Sequence, residues 1–290
     1  VEVIRVPEIV ELTRSDLPAT VTQDEVNLST AEGNLIVLLR AAQQGMRGGV
    51  VMVLHDITEI KHLEAIRRDF VANVSHELRT PVSVIRANAE TLLDGALDDE
   101  PAARNFTTAI HRNSERLTML LSDLLDLARM EAGETILTMT QVSVHNNVDR
   151  AFDMLAHAAE KRGVTLHNEV PSDLQLNTDS DTLDQVLLNL IGNGIKYGRS
   201  IGGQVWVRGL MISDGIRIEI ADDGPGIELH HRDRVFERFY RVDPGRSRDM
   251  GGTGLGLAIV KHLVDLMGGT IGIEPRQEGG TVFWAELPKG

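Results

Sequence analysis

Three groups of residues have the types and spacing that chemistry needs. The first is the run Phe70-Val71-Ala72-Asn73-Val74-Ser75-His76-Glu77-Leu78-Arg79-Thr80-Pro81. His76 lies two residues past Val74 and two before Leu78, which on a helix turns the imidazole away from the apolar stripe. An imidazole presented to solvent is a candidate nucleophile or proton carrier, and Glu77 beside it can orient or deprotonate the ring. Pro81 removes the amide that would bond the Glu77 carbonyl, which predicts a kink just past the histidine. Taken alone, an exposed histidine on a helix is ordinary surface. A zinc-protease reading fails, because Thr80 stands where that motif needs its second histidine.

The second group is Asn189, Asn193 and Lys196, closed by Tyr197. On a helix the first three fall within an arc of about sixty degrees, with Leu183, Leu187, Leu190 and Gly194 on the other face. Two amides and an ammonium on one edge suit a hard cation and phosphate oxygens, although a plain polar face would look the same. The third group is a pair of glycine-rich turns. Asp222-Asp223-Gly224-Pro225-Gly226-Ile227 follows a strand pattern, and Asp222 can accept a bond from an exocyclic amine. Gly251-Gly252-Thr253-Gly254-Leu255-Gly256-Leu257 runs into an apolar helix, whose free amides attract phosphate. The spacing is not that of a dinucleotide fingerprint, and without a Gly-Lys pair it is not a P-loop. His231-Arg232-Asp233 imitates a protein-kinase catalytic loop, but Arg238 stands where that loop needs asparagine and no Asp-Phe-Gly follows.

These groups must be carried by elements, and the periodicity supplies them. Residues 1–60 read as short strands: Val26 to Leu28 and Leu35 to Leu39 about the turn Ala31 to Asn34, then Val50 to Leu54 after a turn near Gly45 to Gly49. A short helix is expected after Pro7. From about Ile60 the step changes to threes and fours, through Leu63, Ile66, Phe70, Val74, Leu78, Val82, Ile85, Ala89 and Leu92. After the break at Gly95 to Pro101 a second stripe follows: Phe106, Ile110, Leu117, Leu121, Leu124 and Ala128, ended by Gly133. Two amphipathic helices joined by a short loop make a hairpin that cannot cover both stripes, which predicts a homodimer forming a four-helix bundle. Beyond residue 140, helical patterns at 147–162, 180–197 and 254–267 alternate with strand patterns at 164–169, 204–212, 216–221, 270–274 and 281–287. That is a sheet covered by helices, and the weakly patterned stretch from Gly224 to Gly252 reads as a functional lid. The fold class is α+β and multidomain. The expected domains are 1–59 (small sheet), 60–135 (helical hairpin) and 140–290 (sheet covered by helices).

Composition narrows the function classes. The 290 residues carry 29 basic against 43 acidic side chains, a formal charge of −14, which argues against nucleic acid as a partner. Zero cysteines exclude disulfides, thiolate metal sites and thiol catalysis. No apolar run approaches the ~18 residues that cross a bilayer. The chain opens at Val1, so a fragment of a longer protein is expected, with any membrane attachment in parts outside it.

Phe70 to Pro81 closely resembles the H-box of sensor histidine kinases, in the form found in phosphate-regulon sensors. The resemblance implies that His76 accepts a phosphoryl group from ATP, that Glu77 acts as base, and that Thr80 positions water for dephosphorylating a partner. In order and spacing the later groups resemble the N, G1 and G2 boxes of the GHKL (Bergerat) ATP-binding fold, an α/β sandwich. Phe236 to Arg241 resembles the F-box, and Gly279-Gly280-Thr281 a last glycine turn. What this implies is that Asp222 reads adenine and Asn193 holds Mg²⁺. Asn189 and Lys196 would sit by the phosphates, and Tyr197, Gly224, Gly226, Gly252, Gly254, Gly256 and Thr281 would shape the pocket under a lid at 228–252. Gly194 departs from the usual Ala, which predicts a weaker helix and a slightly looser site. Val51 to Thr58 looks like the last strand and Asp-Ile-Thr signature of a PAS domain, of which only the C-terminal part is present. The expected activity is ATP-dependent autophosphorylation of His76 and transfer to an aspartate of a response-regulator receiver domain, with phosphatase activity toward it. The expected setting is the cytoplasmic part of a bacterial inner-membrane sensor. The alternatives are a GHKL ATPase clamp, which lacks an H-box, and a catalytically silent dimeric scaffold.

Overall fold

A computed structural model describes residues 22–30, 33–44, 49–199, 201–243, 245 and 252–289. The helix expected after Pro7 and most of both N-terminal turns lie outside the described residues. The chain divides into two compact units, residues 1–75 and 76–290.

In the first unit, β1 (Thr22–Thr30), β2 (Gly33–Gln44) and β3 (Gly49–Asp56) form an antiparallel sheet in the order β1-β2-β3. Val26 lies opposite Val37, and both are buried with Leu39, while Val51 and Val53 remain exposed. The Asp-Ile-Thr run has a local job here. Asp56 Oδ1 accepts from the Thr58 amide at 2.9 Å, and Thr58 Oγ1 accepts from the Ile36 amide at 2.8 Å. These bonds start α1 (Thr58–Leu93) and tie its first residue to β2.

α1 is a single element of 36 residues that continues through buried Pro81. The expected kink is therefore not an interruption. Thr80 Oγ1 donates to the His76 carbonyl at 3.1 Å, one residue before the carbonyl whose helical amide partner Pro81 removes. α2 (Glu100–Glu131) follows, with Asp99 capping the Ala102 amide at 3.2 Å and Pro101 in the first turn. Its most buried residues are Arg116, Leu120, Leu127 and Met130. The stripe picked out by spacing is the more open one, with Leu121 51% exposed and Ala128 on the surface. Leucines at 120, 121, 124, 125 and 127 give α2 two apolar faces. Period alone does not say which is covered within one chain.

β4 (Thr140–Ser143) and β6 (Gln175–Thr178) make a small antiparallel pair that alternation over four residues is too short to reveal. α3 (Val144–Arg162) starts at its Ser143 cap, earlier than periodicity suggested. The main sheet contains β5 (Thr165–Glu169), β7 (Gln204–Ile212), β8 (Gly215–Asp222), β9 (Thr270–Pro275) and β10 (Thr281–Pro288). Its order is β5-β7-β8-β10-β9, parallel only between β5 and β7. The helices α3, α4 (Ser180–Tyr197) and α6 (Gly256–Leu266) pack against it and each other over Val205, Val207, Ile216, Ile218 and Ile220. Alternate positions face the other way: Arg217 binds Glu219, Glu274 and Glu286 and lies over the Trp284 ring.

Gly194 gives α4 room against the sheet. A Cβ there would stand 2.9 Å from Val205 Cγ2 and 3.3 Å from Cγ1, so the missing side chain lets the helix lie close on β7.

Candidate active site

α4, β8, the loop before α6 and the start of β10 converge on a cavity of about 590 Å³. Asn189, Asn193, Lys196 and Tyr197 line one wall, and Asp222, Gly226 and Thr281 another. Gly252, Gly254 and Gly256 line a third. Residues far apart in sequence thus meet around one space. Gly224 is set one step back, where its amide donates to Asp222 Oδ1 at 2.8 Å. Gly256 lies close to the Asn189 amide, and a Cβ there would stand 2.7 Å from Asn189 Oδ1.

Two ionisable groups are displaced from their ordinary behaviour. Asp222 is 7% exposed, and burial pushes its carboxyl up to about 6, against the pull of the Gly224 and Thr281 amides. Burial, with Arg241, Arg162 and Arg116 nearby, pulls Lys196 down to about 8. The cavity therefore has an acceptor at one end and concentrated positive charge at the other, the combination that fits an aminopurine base and its phosphates.

The lid expected at 228–252 is described as far as Asp243 and again at Gly245 and Gly252. It opens with a single turn, α5 (Leu229–Arg232), held by Arg232 Nε donating to the Ile227 carbonyl at 3.0 Å. Tyr240 lines the cavity and meets His231 Nδ1 at 2.5 Å through its hydroxyl. Phe239 has φ of 63°, an outlier for a bulky residue, and its amide donates to the Gly254 carbonyl at 2.8 Å. Strain of this kind clusters at functional sites, and here it joins the lid to the glycine loop.

His76, Glu77 and Thr80 do not line the cavity. His76 is exposed on α1, and Glu77 is reached from the cavity side. Arg241, a cavity residue, donates from Nη2 to Glu77 Oε2 at 3.0 Å, and Arg116 of α2 donates to the same oxygen at 2.7 Å. Arg241 Nη2 also donates to the Gly252 and Thr253 carbonyls at 2.8 Å. Its Nε is buried with no partner among the described residues. Sequence reasoning missed the contribution of α2: Met119, Ser122 and Asp123 line the cavity as well. Thr253 Oγ1 donates to Asp123 Oδ2 at 2.6 Å. Nothing in the local pattern of α2 marks Asp123, which reads as one more solvated acid.

A convergence of this kind, with glycine turns around a nucleotide-sized cavity and an imidazole helix joined to its wall, defines an ATP-binding domain coupled to a phosphoacceptor hairpin. Comparison with known families agrees. Residues 178–290 match the "Histidine kinase-, DNA gyrase B-, and HSP90-like ATPase" family, and residues 66–133 the "His Kinase A (phospho-acceptor) domain". The sensor-like histidine kinase SenX3 of Mycobacterium tuberculosis is 38% identical over 247 residues, covering 85% of this chain and 60% of that protein. The sensor histidine kinase WalK of Bacillus subtilis is 34% identical over 275 residues, covering 92% and 45%. The full-length histidine kinase ShkA, solved with AMPPNP, has a TM-score of 0.55 at 29% identity, covering 76% of this chain and 45% of that one. The histidine kinase ThkA, solved in complex with the response regulator TrrA, has a TM-score of 0.64 at 21% identity, covering 92% and 79%, and shares the fold. The chain belongs to the sensor histidine kinases. It spans about half the length of the curated relatives it matches.

Proposed function

We propose that this chain autophosphorylates His76 with ATP and passes the phosphoryl group to an aspartate of a response-regulator receiver domain. The observation that carries the reading is the bond between cavity-wall Arg241 and Glu77, the residue next to His76. It joins the nucleotide cavity to the phosphoacceptor helix. ShkA, solved with AMPPNP, and ThkA, solved with a response regulator, support the same reading by similarity.

Asp222 accepts from the adenine amine, while Asn189, Lys196 and the amides of the 252–256 loop hold the phosphates. The unpartnered Arg241 Nε offers a further donor for a phosphate oxygen. In the transfer, the His76 Nε2 lone pair bonds to the γ-phosphorus as the bond to the β,γ-bridging oxygen breaks, and ADP leaves. Glu77 holds the proton on Nδ1, fixing the tautomer that leaves Nε2 free. An aspartate oxygen of the regulator then attacks the same phosphorus and Nε2 departs. Thr80 orients water for the reverse, phosphatase role. The donor set fits Mg²⁺, since Asn193 lines the cavity and its side chain carries an amide oxygen, while the remaining oxygens would come with the substrate phosphates. That ion supplies charge neutralisation on the phosphates when bound.

The open apolar stripe supports a homodimer. Val82, Leu121 and Leu125 are exposed in the single chain, and covering them with a second copy completes a four-helix bundle. Among the described residues no helix is long and apolar enough to cross a membrane. A cytoplasmic position beneath a membrane-anchored parent is consistent with relatives longer than this chain. The test is incubation with γ-labelled ATP and Mg²⁺, comparing the wild type with His76→Ala. Acid-labile, alkali-stable label present in the first and absent in the second is expected. Label retained in the variant would refute His76 as acceptor.

A further inference from the structure

We infer that the acidic edge of α2, led by Asp123, competes with the nucleotide's terminal phosphate, so that docking of the ATP-binding domain on the hairpin and ATP binding oppose each other. The inference rests on the nucleotide reading of the cavity given above. Asp123 reaches into that cavity from outside the ATP-binding domain, and its Oδ2 accepts a hydrogen bond from the Thr253 hydroxyl at 2.6 Å. Thr253 sits in the glycine loop before α6, where phosphate oxygens would seek the same donor. Lys196 and the α2 carboxylate also act on each other. An anion already occupies the phosphate end.

Asp123 is not isolated. Further along α2, Asp126 accepts from Gln185 at 3.4 Å and Glu131 pairs with Arg238. Each partner belongs to the ATP-binding domain, and α2 packs on α6 beside them. One helix face thus presents three carboxylates to that domain, and one of them enters the phosphate space. Two like charges cannot share one donor in a partly buried site without strong repulsion. A triphosphate arriving there must expel Asp123 and loosen the docked arrangement. Arg241 would then be freed from Glu77 in the same step. By linkage, whatever weakens docking strengthens nucleotide binding, by at most the same factor.

The test uses AMPPNP with Mg²⁺ as probe, measured by calorimetry on the full chain. Asp123→Asn is expected to tighten binding by about tenfold. Removing a charge near the phosphates would do that by itself, so a second variant is needed. Glu131→Gln breaks a docking pair whose carboxylate does not line the cavity, and it is expected to tighten binding by roughly threefold. Because the chain has no cysteine, cysteines placed at 131 and 238 can be joined by a bifunctional maleimide. The joined protein is expected to bind AMPPNP at least tenfold more weakly than the same protein left unjoined. Unchanged affinity in Glu131→Gln together with equal binding by the joined and unjoined forms would overturn the competition. Failure of every form to bind AMPPNP would instead overturn the nucleotide assignment, and this inference with it.

Discussion

Asp222→Asn should make the ligand-free protein more stable while disabling it. The carboxyl is 7% exposed, and burial raises it from 3.8 to about 6. That displacement corresponds to about 3 kcal/mol held against the folded state when the group is ionised, an order-of-magnitude figure. The sign follows from proton counting. Between 3.8 and about 6 the folded state binds more protons than the unfolded one, so stability falls as pH rises through that window and the penalty is complete above it. Asparagine keeps an oxygen for the Gly224 amide and carries no charge. The variant should therefore gain about 1–3 kcal/mol at pH 7 to 8, several degrees in Tm for a domain of this size. Its advantage over the wild type should shrink toward nothing near pH 4. AMPPNP binding should meanwhile fall at least tenfold, because the base amine loses a charged acceptor. Thermal unfolding of both proteins from pH 4 to 8, with calorimetry at pH 7.5, decides it. Equal or lower Tm at pH 7.5, or a gain that persists undiminished at pH 4, would refute the reasoning.

Lys196, lowered to about 8, is near half protonation at that pH, and bound phosphates should pull it back up. Nucleotide binding at pH 8 should then take up ~0.5 proton, read as a slope of calorimetric enthalpy against buffer ionisation enthalpy. A zero slope in the wild type, or one that survives in Lys196→Met, would contradict this. Gly194→Ala gains up to ~1 kcal/mol of helix propensity but puts a methyl 2.9 Å from a stiff, buried valine, so a net loss of about 1–2 kcal/mol is expected in denaturant unfolding. Val205→Ala in the same chain should relieve it, and a double variant that merely adds the two single losses would show that the contact is not the cause.

What could be read in the sequence was whatever one element carries by itself. Asn189, Asn193 and Lys196 share a helix edge, and helical geometry alone places them together. The glycine turns announce themselves by composition and by the apolar helix pattern that follows, since backbone that must approach a ligand closely has little room for side chains. What could not be read depends on tertiary choice. α2 is apolar on two faces, so the covered one, with Leu120, Leu127 and Met130, is decided by the domain that docks there. Arg116 has the sequence character of a solvated arginine, yet it is 8% exposed with its guanidinium on Glu77. The helix runs on through Pro81, because one missing backbone hydrogen bond weighs less than the packing of a 36-residue element.

The ligand-free cavity is an unfavourable place for the charges it collects, and that explains its neighbours. Lys196, Arg116 and Arg241 stand close enough for the arginines to depress the lysine, which is the signature of cations waiting for an anion. Without nucleotide, folding would have to bear that repulsion alone. The hairpin supplies Glu77 to both arginines, and Asp123 to the glycine loop, so its acids serve as internal counter-ions. They satisfy the site only in part, since Arg241 Nε still lacks an acceptor. A site neutralised this way stays folded when empty and still favours a polyanion that brings more charge than the hairpin can. The same contacts then couple occupancy to the freedom of the ATP-binding domain, because the groups that leave are the ones that held it to α1 and α2.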